Sequence, residues 1–180
     1  MAKRGHAMGY ASGKAAIQGK TIHPMDAMSQ LQAEHRHIRR LFDRIGHHQQ
    51  QNDLTVLLQA ICDQLTIYLV LKEEVFYPGM RTAATPGQRA QLDESLVEHY
   101  TLKVIMDTLD GQAPGDPLFG AKVKTLQRHF TQQANYEEEI LFPELQALTT
   151  VDFSQRLYDR RRELVEDMRE HRLDETSGIR

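Results

Sequence analysis

The chain of 180 residues contains a single cysteine, Cys62, which rules out an internal disulfide. Cys62 lies in the apolar run 54–71 and reads as a small core residue rather than a nucleophile. Neither sign of charge is in excess. The formal net charge of -3, with 9 histidines taken as neutral, excludes a general electrostatic footprint for nucleic acid or anionic lipid. No stretch approaches the roughly 20 apolar residues needed to span a bilayer, and the N-terminus lacks the apolar segment of a signal peptide. The expectation is a cytoplasmic protein, with neither a membrane nor a specific nucleic acid as partner. Two-residue alternation is missing as well, so the chain reads as all-α.

What is present is helical periodicity. Residues 1–22 hold no acidic residue and no sustained pattern, and read as a flexible tail. The four scattered cations Lys3, Arg4, Lys14 and Lys20 are too few to specify nucleic acid. Gly13 and Gly19-Lys20-Thr21 imitate a phosphate-binding loop, but five residues separate the glycines and no strand precedes them. From Met25, a first helix carries Leu31, His35, Ile38, Phe42 and Ile45 at four- and three-residue steps. A second carries Leu54, Leu58, Ile61, Leu65, Tyr68, Lys72 and Val75, and is expected to stop at Pro78-Gly79. Pro86-Gly87 opens a third, with Leu92, Leu96, His99, Leu102, Met106 and Leu109, ending at Gly111. A fourth carries Val123, Leu126, Phe130, Gln133, Glu137 and Ile140 and reaches Phe142-Pro143. The predicted organisation is a bundle over residues 23–148, then a C-terminal helix and tail over 149–180. That last helix, roughly 152–171, has a narrow apolar face, suited to packing across the bundle or to self-association as a homo-oligomer.

Six polar side chains fall on the apolar stripes: His35, Tyr68, Lys72, His99, Gln133 and Glu137. Burial there costs several kcal/mol unless the groups satisfy one another or hold a cation. An internal echo relates two of the helices, because Lys72-Glu73-Glu74-Val75-Phe76-Tyr77-Pro78 resembles Glu137-Glu138-Glu139-Ile140-Leu141-Phe142-Pro143. Lys72 then corresponds to Glu137 and Tyr68 to Gln133. Each pair is four residues apart, one turn on the same face.

With Glu34-His35, Glu98-His99 and the two acidic segments ending in Phe-Tyr-Pro and Leu-Phe-Pro, the region from Met25 to Leu148 resembles the hemerythrin-like, or HHE cation-binding, family. The resemblance implies an up-down-up-down four-helix bundle, here with an additional C-terminal helix. It also implies two iron ions, held by one histidine from each of the first and third helices and a His-x-x-x-Glu pair from each of the others. Such centres handle oxygen, nitric oxide or iron. By position, His35, His99 and Glu137 match metal ligands. Tyr68, Lys72 and Gln133 are substituted ligand positions: the first stands for a histidine, the second for a bridging glutamate, the third for the other histidine. His129, eight residues before Glu137, lies on the flank of the helix and does not replace Gln133.

Three surviving donors are few for two divalent ions, and the Lys72 ammonium would repel them. An intact diiron centre is therefore not expected. One reading is a metal-free polar plug, with Lys72 as the cation, Glu137 as its counter-ion, and a non-catalytic binding, sensing or structural role. Another keeps a single metal ion, by resemblance iron, on His35, His99 and Glu137, and would bind a metal or small diatomic ligand. A third uses Lys72 as an amine nucleophile, although a lysine on an apolar stripe is far more often a paired structural residue.

Overall fold

The computed structural model describes residues 26–47, 51–146, 148 and 153–177. The expected tail, 1–22, lies outside the described residues. No strand occurs among them. The first helix, α1 (Ala27–His47), is started by Asp26, whose carboxylate accepts from the Ser29 amide at 3.0 Å and the Ser29 hydroxyl at 2.6 Å. Its buried face contains Leu31, His35, Ile38, Phe42 and Ile45, as the periodicity predicts.

Pro78-Gly79 does not end the second helix. α2 (Gln51–Leu71) runs into a π-helical turn, Lys72–Phe76, and continues as α3 (Tyr77–Arg81). Proline in a helix interior lacks an amide and crowds the carbonyl four residues back. The wider turn immediately before Pro78 is the place where that crowding is relieved. The same event recurs in the fourth helix, where α5 (Phe119–Tyr136) passes through a π-helical turn, Glu137–Leu141, into α6 (Phe142–Gln146). Between them stands α4 (Pro86–Asp107), started by a reciprocal Thr85–Gln88 capping box with Pro86 in the first turn. Gly111, at φ 65°, turns the chain after α4 in a conformation that favours glycine.

These four rods form the up-down-up-down bundle, in which α1 packs on α2 and α5 and α4 packs on α5 and α3. The last helix, α7 (Ser154–Ser177), extends beyond its expected end and lies against α1, α2 and the first π turn. Its Leu157 and Leu164 are buried, and so is Phe153 just before it. Phe153 reaches α3 at Gly79, where an added Cβ would come within 3.2 Å of the ring. Polar anchors complete the seam. Arg161 pairs with the buried Glu34 at 2.5 Å, Gln64 donates to the same carboxylate, and Arg160 pairs with Glu74 at 2.7 Å.

One sequence expectation is corrected here. The segment Asp53–Arg81 is long and apolar enough to cross a membrane by length and composition. Its apolarity has another use in this fold, since α2 buries residues toward the bundle centre (Ile61, Leu65, Tyr68) and others off that stripe (Ile67, Leu71), while α7 packs against it.

Candidate functional site: a hydrogen-bonded chain through the bundle

All six inward polar residues are buried, as the stripes require. Five of them, joined by Tyr77, form one continuous network, and Gln133 attaches to it from the side. At the centre Lys72 and Glu137, both 0% exposed, are in direct ionic contact. The lysine Nζ also donates to the Tyr68 hydroxyl at 3.0 Å and lies 4.6 Å and 5.0 Å from the ring centroids of Tyr68 and Tyr77. Glu137 is saturated with donors. Its Oε2 accepts from Tyr68 at 2.5 Å, and its Oε1 accepts from Lys72, from Gln133 Nε2 at 2.9 Å and from the Tyr77 hydroxyl at 3.3 Å.

The two histidines flank this pair in matching settings. His35 Nδ1 is 2.7 Å from Glu138, which Arg39 holds at 3.0 Å. His99 Nδ1 is 3.0 Å from Glu73, which Lys103 holds at 2.7 Å. The two Nε2 atoms point inward at phenol hydroxyls, His35 at Tyr68 at 2.9 Å and His99 at Tyr77 at 3.1 Å. Phe142 stacks on His35 with ring planes 2° apart, and Tyr77 stacks on His99 at 28°. The sequence echo pairs Glu73 with Glu138 and Tyr77 with Phe142, so it is realised as a pseudo-twofold arrangement around Lys72 and Glu137.

The π turns create this arrangement. In each, the amide of the residue after the turn bonds back to its first residue, Tyr77 to Lys72 and Phe142 to Glu137. The five-residue step brings both aromatic rings onto the inward face, and an α-helical count does not place them there. Tyr77, Glu73 and Glu138 are accordingly the residues that the periodicity missed. Their signal lay in the echoed segments themselves. Of the pattern's paired acids, Glu34 is buried beneath α7 and Glu98 is exposed. His129 is partly exposed, on the flank as expected.

The electrostatics follow from burial. Desolvation, with the Lys72 charge as a further cause, lowers the pKa of both histidines, that of His99 to about 3. Both are neutral at pH 7. With Nδ1–H donating to a carboxylate, each Nε2 is an acceptor, and the single proton of each phenol lies between that nitrogen and Glu137. Burial raises the pKa of Tyr68 and Tyr77 well above the ordinary phenol range, so both remain donors. The hydrogen bond from His99 helps to hold Glu73 down at about 2. Burial alone pulls the Lys72 ammonium well below the usual lysine range. The carboxylate of Glu137 in contact with it opposes that loss, and the pair as a whole is neutral. A hydrogen-bonded chain thus runs from Glu138 through His35, Tyr68, Glu137, Tyr77 and His99 to Glu73, with a partly exposed carboxylate at each end.

The structure brings His35 and Glu137 to 3.1 Å, while Tyr77 stands between His99 and Glu137. Among the described residues no group of three or more His, Cys, Asp or Glu side chains is arranged to hold a metal ion. No curated protein and no solved structure matched the chain. The family model of the hemerythrin HHE cation binding domain matches residues 26–145, which takes in all four rods and all six inward polar residues. By that match, spanning more than half of its length, the chain belongs to the hemerythrin HHE cation-binding domain family.

Proposed function

We propose that this protein is a non-catalytic member of its family in which the Lys72 ammonium occupies the metal position, leaving a metal-free polar centre with a binding, sensing or structural role. The observation that carries this reading is the fully buried contact between Lys72 and Glu137. A dinuclear centre needs several anionic and imidazole donors with free lone pairs. Here both oxygens of Glu137 are already engaged by protein donors, and each inward Nε2 faces a tyrosine hydroxyl. Glu73 and Glu138 are engaged by the outer nitrogens of the histidines. A pair of divalent ions does not fit this donor set, and one ammonium opposite one carboxylate balances the charge.

The single-metal reading on His35, His99 and Glu137 draws on the 3.1 Å approach of His35 Nε2 to Glu137, where two donor atoms converge. It requires Tyr77 and Lys72 to withdraw together. A cytoplasmic location and self-association through the outer face of α7 belong to the leading reading, with part of the apolar surface of α2 covered by the core and α7.

The test is reversion: Tyr68→His, Lys72→Glu and Gln133→His in one protein, loaded with ferrous iron under anaerobic conditions. Iron bound stoichiometrically by the folded triple variant and not by the parent supports the assignment. A folded triple variant that binds no more iron than the parent counts against it.

A further inference from the structure

We infer that the outer face of α1, together with the adjoining flank of α7, is a surface for single-stranded nucleic acid, held through its phosphates without regard to sequence. Arg36, Arg40 and Arg44 are exposed and stand one turn apart along α1. None of the three forms an ion pair with another described residue. Neighbouring arginines are neutralised, Arg39 by Glu138, Arg160 by Glu74, Arg161 by Glu34 and Arg172 by Asp63. Like charges one turn apart repel, so the unpaired row weakens the helix and gains nothing within the chain.

The row runs toward α7. Four-residue steps rotate by about 40° around a helix. They carry the arginines away from Arg39, which faces Glu138, and toward Glu34, which faces Arg161 of α7. On α7 the same repeat places Tyr158, Arg162, Val165 and Arg169 on the flank of Arg161, away from Arg160 and its partner Glu74. Arg169 is exposed without an ion-pair partner among the described residues, and Arg162 reaches Asp159 only at 3.9 Å. Few negative charges oppose this set. Glu34 is buried and taken by Arg161 and Gln64, and Asp43, the other acid of α1, lies on the flank of Arg39. The chain's formal net charge of -3 excludes a footprint over the whole surface, yet its free arginines gather on one side.

The partner follows from the kind of cation and its spacing. The set is arginine throughout, whose planar forks match phosphate oxygens. Each step of the row rises about 6 Å, close to the separation of successive phosphates along an extended strand. Tyr158, 53% exposed, offers a ring on which an unstacked base can lie. In a duplex the bases stack on one another and leave that ring unused. An anionic membrane takes up a broad apolar face, and here only Tyr158 and Val165 supply one. None of these side chains belongs to the polar core, so the surface does not depend on what Lys72 replaces.

The test titrates the full chain into a fluorescein-labelled single-stranded DNA of mixed sequence, about 16 nucleotides long, and follows anisotropy. Salt is varied from about 50 to 200 mM. Saturable binding is expected, with a log–log salt slope of about -2 to -3.5, which corresponds to three to five phosphates at about 0.7 each. Arg36→Gln, Arg40→Gln and Arg44→Gln in one protein weaken binding about tenfold or more and flatten the slope by about 2. Tyr158→Ala weakens it about fivefold or more at unchanged slope. Arg128→Gln, an exposed position on α5, leaves it unchanged. No saturable binding at the lower salt overturns the proposal. So does equal affinity in the triple variant, which would assign the binding to the cations of residues 1–22. Tighter binding of the duplex of the same sequence, or retention on phosphatidylserine vesicles without binding of the oligonucleotide, overturns it as well.

Discussion

Replacing Lys72 with methionine keeps much of the volume and removes the charge. The change leaves Glu137 buried at 0% exposure with Tyr68, Gln133 and Tyr77 still donating to it. Breaking a buried ion pair by deleting one partner costs about 3–5 kcal/mol. The three remaining donors hold the cost toward the low end, about 3 kcal/mol, because each hydrogen bond to a charged group stabilises by about 1.5–3 kcal/mol. Against a total stability of roughly 5–15 kcal/mol this is a large loss. It corresponds to a fall in Tm of about 6–12 °C for a domain of this size. Glu137→Gln strands the ammonium and costs a similar amount. The double variant neutralises both groups and is expected to be more stable than the sum of the single losses predicts, by about 2 kcal/mol. Urea denaturation of the four proteins measures the cycle. A Lys72→Met variant within about 0.5 kcal/mol of the parent, or additive single losses, would show that the two groups are not a coupled buried ion pair.

Stability should fall on acidification below neutral pH. The folded pKa of His99 is about 3, below the unfolded value of 6.5, so its contribution is present above pH 6.5 and is lost as pH falls toward 3. His35 shifts in the same direction. Each proton taken up only by the unfolded chain gives a slope of up to about 1.4 kcal/mol per pH unit. Urea midpoints that stay flat between pH 7 and 4.5 would contradict this. Tyr68→Phe leaves His35 Nε2 and Glu137 Oε2 facing each other without the shared phenol, and should cost about 1–3 kcal/mol, read as a lower urea midpoint. Arg161→Ala removes the α7 partner of Glu34, where Arg161 itself is 40% exposed. About 1 kcal/mol is expected, with faster amide exchange confined to α7 and its contacts, while unchanged exchange there would show that the pair does not dock the helix.

Helix positions and the inward polar set were legible because burial imposes a three- and four-residue period, which His35, Tyr68, Lys72, His99, Gln133 and Glu137 obey. The family match over 26–145 agrees with the motifs that suggested it. What escaped was the backbone between those positions. An α-helical count predicts a stop at Pro78, whereas the π turns carry both rods past their prolines and rotate Tyr77 and Phe142 inward onto the two histidines. Glu73 and Glu138 fall off the three- and four-residue stripes, yet they meet the histidines from the flank. Glu34 was noted for its motif, and its long-range partner Arg161 lies 127 positions away, which no local pattern reveals. The apolar surplus of α2 became intelligible only with α7 packed beside it.

In the proposed function a lysine side chain supplies the positive charge at the heart of this bundle. Elemental analysis of the unmodified protein tests it most directly, after expression in iron-supplemented medium and purification without chelators. Iron, manganese and zinc are each expected far below one atom per chain. One or more atoms of any of them per chain, lost on changing His35 or Glu137, would contradict it.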